Sequence, residues 1–165
     1  MKNFNHFISE NKLNCNPNIL KDDIIDYNNL DDCLESPLFD IERKYGSRNP
    51  SEGYTLLFYA AHWNNINLLK KLIKYGANVN TVFAGKNILI DLVTKISFTD
   101  DDIKIMDILI ENGINLNFKW DNKDIFDILK LGNPKMKSYA FEIPNKFPKQ
   151  YEKYLREKEM QKFNI

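Results

Sequence analysis

Little in this chain of 165 residues points to chemistry. It has only two cysteines, Cys15 and Cys33, and two histidines, His6 and His62. So few cysteines form no disulfide framework, which favours a reducing compartment. Neither histidine sits with a Cys, Ser or carboxylate in a spacing that marks a nucleophile and its base. There is no Gly-rich phosphate loop, no Cys-x-x-Cys pair and no His-Glu-x-x-His helix. Asp100, Asp101 and Asp102 lack the glycine and the distal glutamate of a calcium loop, so a solvated loop with a helix cap is expected there. No catalytic residue, metal site or cofactor is therefore expected. No apolar run approaches the roughly 20 residues of a membrane span, and the first residues lack the charged-then-apolar order of an export signal. The expectation is a cytoplasmic protein without a membrane partner. Net charge is zero, which excludes a general pull toward nucleic acid. The charge is nonetheless segregated: residues 130–165 carry 9 Lys/Arg against 4 Asp/Glu.

What is present is a patterned stretch. Residues 53–80 read G-Y-T-L-L-F-Y-A-A-H-W-N-N-I-N-L-L-K-K-L-I-K-Y-G-A-N-V-N. Gly53 suits a turn that a side chain would resist. Thr55 stands where a hydroxyl caps a helix. Ala60 and Ala61 let two helices approach closely. Leu68, Leu69, Leu72 and Ile73 recur at helical spacing as the apolar stripe of a second helix. Gly76 suits a left-handed helix end, and Asn78 and Asn80 a tight exit loop. This succession resembles one ankyrin repeat, a turn plus two helices recurring at about 33 residues.

The unit recurs. Residues 103–117 repeat the second helix and its exit, with Gly113 matching Gly76 at a separation of 37 residues (113 − 76). The excess over the usual period falls at Ser97 to Asp102, read as an enlarged loop between helices. Asn87 and Asp124 stand as N-caps where Thr55 does, so a third unit starts at Asp124. The pattern departs from the family at Thr55-Leu56-Leu57-Phe58, where Thr-Pro-Leu-His is usual, and at Leu92-Val93, which replace the alanine pair. The hydrogen-bond network that the family's histidine makes between repeats is thus expected to be missing.

The resemblance implies an all-α ankyrin-repeat solenoid of about three to four helix-turn-helix units, with short loop fingers and helical N- and C-terminal caps. We read one domain over residues 1–165. An N-terminal cap spans 18–49, with a helix over residues 38–44. Recognisable repeats span 50–130. A C-terminal loop punctuated by Pro134, Pro144 and Pro148 and a capping helix after it fill 131–165. Arrays of this kind bind proteins, so the expected function is a non-catalytic interaction module, a monomer on its own.

In the family the partner meets the fingers and first helices. The residues there that the fold does not need are, above all, Tyr54, His62, Trp63, Phe83, Lys86, Lys95, Lys119 and Trp120. Aromatic residues at such positions suit interface anchors. The competing expectation is that Phe83 and Trp120 fold back over the finger bases and Trp63 packs on the N-terminal cap. Two biological settings fit: a small inhibitor or immunity protein that blocks a partner such as a toxin, or a pathogen or viral effector that binds a host protein. A short, irregular array with ends of its own leads us to put the inhibitor first.

Overall fold

The structure, a computed structural model, describes residues 27–36, 39–45 and 53–163. Helices α1 (Tyr27–Glu35), α2 (Leu56–His62), α3 (Ile66–Lys74), α4 (Ile88–Thr94), α5 (Asp100–Glu111), α6 (Ile125–Leu131), α7 (Pro134–Lys146) and α8 (Pro148–Lys162) follow one another. One antiparallel hairpin, β1 (Val82–Phe83) with β2 (Lys86–Asn87), lies between α3 and α4. The three short first helices α2, α4 and α6 begin after Thr55, Asn87 and Asp124. These side chains accept from the amides of Phe58, of Ile90, and of Phe126 and Asp127, as their short polar groups at the head of an apolar run dictate. The second helices α3 and α5 end alike. Gly76 and Gly113 take the left-handed conformation (φ 88° and 82°), and the next amides, of Ala77 and Ile114, reach back to the carbonyls of Leu72 and Leu109.

Three fingers precede the three first helices. The first is a backbone pair between Tyr45 and Tyr54 (2.8 and 3.0 Å), the second is β1–β2, and the third joins Trp120 to Lys123 (2.9 and 3.0 Å). The second and third turn on left-handed pairs, Ala84-Gly85 and Asp121-Asn122, the geometry that matches strand twist in a two-residue hairpin loop. Gly53 is required for a different reason from the turn expected of it: a Cβ there would lie 2.4 Å from the Tyr45 carbonyl oxygen, so the first finger closes only over a glycine.

Packing makes two rows. Helices α2, α4 and α6 touch in sequence to form the inner row, α3 packs on α5 in the outer row, and each unit's own pair is in contact, with α7 as the partner of α6. Ala60, Ala61, Leu69, Leu72, Leu89, Leu92, Leu109 and Leu129 are fully buried along the seam between the rows. The result is an all-α solenoid of repeated helix pairs.

Four expectations change. Residues 132–147 are not a loop: α7 fills them, with Asn133 capping it, Pro134 at a first-turn position where its missing N–H costs nothing, and Pro144 inside its last turn. The described part of the expected helix over 38–44 is turn and extended backbone instead. Asp40 holds the turn by accepting from the Glu42 amide, and the chain then commits Tyr45 to the first finger. The four-residue excess in the second unit is only partly loop. Asp100–Glu111 is helix where the first unit has Ile66–Lys74, and the linker is Lys95 to Thr99 against Trp63 to Asn65. Residues 18–26, 37–38 and 46–49 of the expected N-terminal cap lie outside the described residues. Cys33 of α1 is buried and disulfide-bonded where no disulfide was expected, so cysteine usage does not favour a reducing compartment.

The joints between units are polar. Glu42 accepts from the Asn78 amide (2.7 Å), Asn78 from the Asn80 amide (2.9 Å), Asn80 from the Asn115 amide (2.7 Å), and Asn115 from the Asn117 amide (2.9 Å). Asn117 ends the ladder by donating to the Tyr154 carbonyl and to Glu157 of α8. Each asparagine stands in the exit loop of its unit, so one side-chain type links successive loops where the family's histidine network is missing. The ladder also attaches α8 as a cap.

Candidate protein-interaction face

The residues singled out in the sequence stand in the fingers, next to them, and at the ends of inner-row helices, in different states. Tyr54 is half-buried, with its ring stacked on Tyr59 (5.9 Å between centroids) and met edge-on by Phe83 (5.4 Å). Phe83 also meets Phe58 edge-on (5.5 Å), so it closes the core beneath the second finger. Trp120 is half-buried at the base of the third finger, and the Lys86 ammonium lies 4.6 Å over its ring. Lys119 is exposed next to it.

Trp63 differs. It is the C-cap of α2, is 63% exposed, and has Tyr59 and His62 as its aromatic neighbours. The described N-terminal residues do not cover it to the extent that the competing expectation requires. Tyr59, one helical turn before Trp63, was not singled out in the sequence. Its signal is the i, i+4 spacing of the two rings on one side of a short helix.

Next to Trp63 an open concavity of about 580 Å³ runs between the end of α2 and the α4–α5 linker. His62, Trp63, Lys86 and Lys95 line it together with Asp91, Thr94 and Ile96. His62 and Asp91, from adjacent units, meet across it with Nδ1 and Oδ2 2.7 Å apart. Lys95 is a structural clamp in this structure. Its ammonium donates to Asp102 (2.9 Å), to the Asn64 side chain (3.1 Å) and to the Ala61 carbonyl (3.4 Å), and so ties the two units together. Burial pushes the Asp102 carboxyl up, but hydrogen bonds from Thr99, from Lys95 and from the Thr99 amide outweigh it and hold it below the ordinary carboxylate range. Ile96, missed in the sequence because a single isoleucine in a polar linker carries no periodic signal, is fully exposed on this rim.

A second concavity, about 420 Å³, lies between the exit loop at Gly113 to Phe118 and α8. Its polar lining is that of the asparagine ladder, with Asn80, Asn115, Asn117, Tyr154 and Glu157 bonded as described above. It is the seam under the cap. Among the described residues no group of three or more His, Cys, Asp or Glu could hold a metal ion, and no helix is long and apolar enough to cross a membrane.

Comparison with known proteins rests on this repeat architecture. The family profile described as "Ankyrin repeat" matches residues 52–81, the first finger and the α2–α3 unit. Those residues are an ankyrin repeat. The Ankyrin repeat protein C18/B24 of Vaccinia virus (strain Copenhagen) is 34% identical over 102 residues, which cover 56% of this chain and 66% of that protein. The matched stretch thus falls just short of two thirds of the viral protein's length. No solved structure matches significantly. Ankyrin repeats of this kind indicate a protein–protein interaction module.

Proposed function

We propose that this ankyrin array binds one partner protein, without catalysing a reaction on it, through the face formed by its fingers and inner helices. The contact centres on Trp63 and spreads over His62, Tyr54 and Lys86 toward Trp120, Lys119 and Phe83. The observation that carries this reading is the exposure of Trp63 on the rim of an open concavity, in an array whose other finger-face aromatics are half-buried. A tryptophan in that position suits an interface anchor, the residue type most enriched among hot spots. Lys95 enters the proposal as the clamp that shapes the rim. The protein acts as a monomer in this reading, and a cytoplasmic location is part of the proposal on the sequence alone.

For the partner, the viral relative favours the second of the two settings: an effector of viral type that engages a host protein. The inhibitor setting has no observation of its own beyond the shape of the chain. Affinity capture of the tagged chain from its native cells and from a host lysate, read by mass spectrometry, identifies the partner. Binding measured with the purified partner then tests the face. Trp63→Ala is expected to weaken it by about 2 kcal/mol, roughly 30-fold, with helicity unchanged. Unchanged affinity in both Trp63→Ala and Trp120→Ala sinks the assignment of this face. A captured toxin with an enzymatic domain restores the inhibitor setting.

A further inference from the structure

We propose that the concavity between α2 and the α4–α5 linker receives an extended acidic segment of the partner protein. An apolar side chain of that segment seats between Trp63 and Ile96, and a carboxylate beside it meets the Lys86 ammonium. This rests on the finger-and-inner-helix face being the binding face and narrows it to one chemistry.

The apolar half follows from how the linker is built. Single exposed hydrophobic side chains are ordinary on protein surfaces. Ile96, however, is not exposed because its loop is loose. The residue before it, Lys95, is clamped by three acceptors, and Phe98 beyond it is buried. Thr99 closes a capping box with Asp102 and also accepts from the Asn64 side chain (3.4 Å). Asn64 itself holds a left-handed backbone (φ 56°) next to Trp63. The two exposed apolar side chains are therefore presented by pinned backbone on the same concavity, whose volume of about 580 Å³ accommodates several side chains. A pre-ordered apolar rim loses little conformational freedom on binding.

The acidic half follows from the charges that line the groove. Asp91 is met by His62, and Lys95 by Asp102. Lys86 has no carboxylate among the described residues. Its ammonium donates to the Thr94 hydroxyl (3.0 Å), whose own proton goes to the Ile90 carbonyl (2.8 Å), and rests over the Trp120 ring. An ammonium has three donors, so capacity is left for a carboxylate. A nucleic acid fits this lining poorly, because backbone binding needs several cations in a row, and here one unpaired ammonium stands beside Asp91 and an apolar rim.

The test is a selection of short random peptides displayed on phage against the whole chain. Synthetic versions of the selected peptides are then measured by fluorescence polarisation. Enrichment of Asp or Glu next to Leu, Ile, Phe or Trp is expected. Binding should fall about tenfold in Ile96→Asp and again in Lys86→Met, and when the peptide's acids are changed to Asn or Gln, the loss expected for one charge-assisted contact. Ile96→Asp alters an exposed side chain, and circular dichroism checks that it folds. The proposal is overturned by peptides without acidic residues, by binding indifferent to Ile96→Asp, by no enrichment at all, or by a single-stranded oligonucleotide that displaces the peptides. Any of these leaves the binding face itself standing, since that is judged separately by the effect of Trp63→Ala on the native partner.

Discussion

Asp124 holds the end of the array together, and replacing it by alanine tests that directly. Its carboxylate is buried and accepts from four donors: the amides of Phe126 (3.0 Å) and Asp127 (3.1 Å), the Tyr154 hydroxyl (3.0 Å) and the Lys158 ammonium (2.7 Å). The first two cap α6. The other two fasten α8, whose Tyr151 and Tyr154 rings pack on Phe126 at 5.3 and 4.6 Å. Losing the cap costs about 1 kcal/mol. Leaving the buried Tyr154 hydroxyl without an acceptor costs about another 1–3 kcal/mol. Lys158, whose side chain is 40% exposed, turns to water at little cost. Asp124→Ala is therefore expected to lose about 3 kcal/mol in urea unfolding, with hydrogen exchange in α8 rising first. Asp124→Asn keeps one oxygen for the α6 cap but places an NH2 group where Oδ2 accepted from Tyr154 and Lys158, so it is expected to spare only the cap, about 1 kcal/mol of that loss. The control is Asn133→Ala, which removes an exposed cap of α7 and nothing else in view. If Asp124→Ala costs no more than Asn133→Ala, the carboxylate is only a cap, and the reasoning about α8 fails.

Three further outcomes follow from the same structure. Lys95→Met strands the fully buried Asp102 side chain and is expected to destabilise by about 3 kcal/mol in urea unfolding; a loss below 1 kcal/mol refutes the clamp. Ala84→Gly relieves a left-handed non-glycine residue in the second finger and is expected to raise stability by up to about 1 kcal/mol, read as a higher melting temperature. Stability should also depend on pH in the acid range. Asp102 and Asp124 both have carboxyl pKa values below the ordinary 3.8, because hydrogen bonds from Thr99 and Lys95, and from Lys158, the Asp127 amide and Tyr154, together outweigh the upward push of burial. The unfolded chain thus takes up protons first. The stabilisation is complete above the unfolded value and is lost as pH falls through the lower folded values. Urea midpoints should drop below pH 4 in the native chain and drop less steeply in the Asp102→Asn, Asp124→Asn double variant.

What could be read from the sequence was what depends on near neighbours. Thr55, Asn87 and Asp124 cap because their side chains reach amides two or three residues on, and Gly76 and Gly113 end helices because the turn is made within five residues. The same locality misled at Pro134 and Pro144. As composition they mark a loop, yet Pro134 occupies a position that a helix start favours, and α7 includes Pro144 and ends two residues after it. Residues 38–44 read as a helix after Ser36-Pro37, but the next residue, Tyr45, is claimed by a backbone pair with Tyr54, a contact that no local pattern announces. The missing Pro and His of the first unit led to the expectation that the family's hydrogen-bond network between repeats is missing. The joint is made elsewhere, by the ladder from Glu42 through Asn80 and Asn115 to Asn117.

The candidate binding residues show why a surface is harder to read than a fold. A polar side chain outside the apolar stripe is free to meet a partner only if nothing in its own chain has claimed it, and here the claims come from far along the sequence. Lys95 looks like a solvated lysine until Ala61 and Asn64, more than 30 residues away, take its donors. Asn80 is taken by Asn115 and Gly113, Asn117 by α8, and Asp107 by Tyr139 and Lys146. In a degenerate array the joints use up polar groups that a regular array would leave on its surface. What they do not use is Trp63, Ile96 and most of the donor capacity of Lys86. Two of these three, Trp63 and Lys86, were singled out in the sequence, and all three line one groove. That coincidence comes from the extra residues of the α4–α5 linker, which carry Ile96 out to the rim opposite the end of α2. The irregularity that makes the second repeat hard to recognise is therefore what shapes its most distinctive surface.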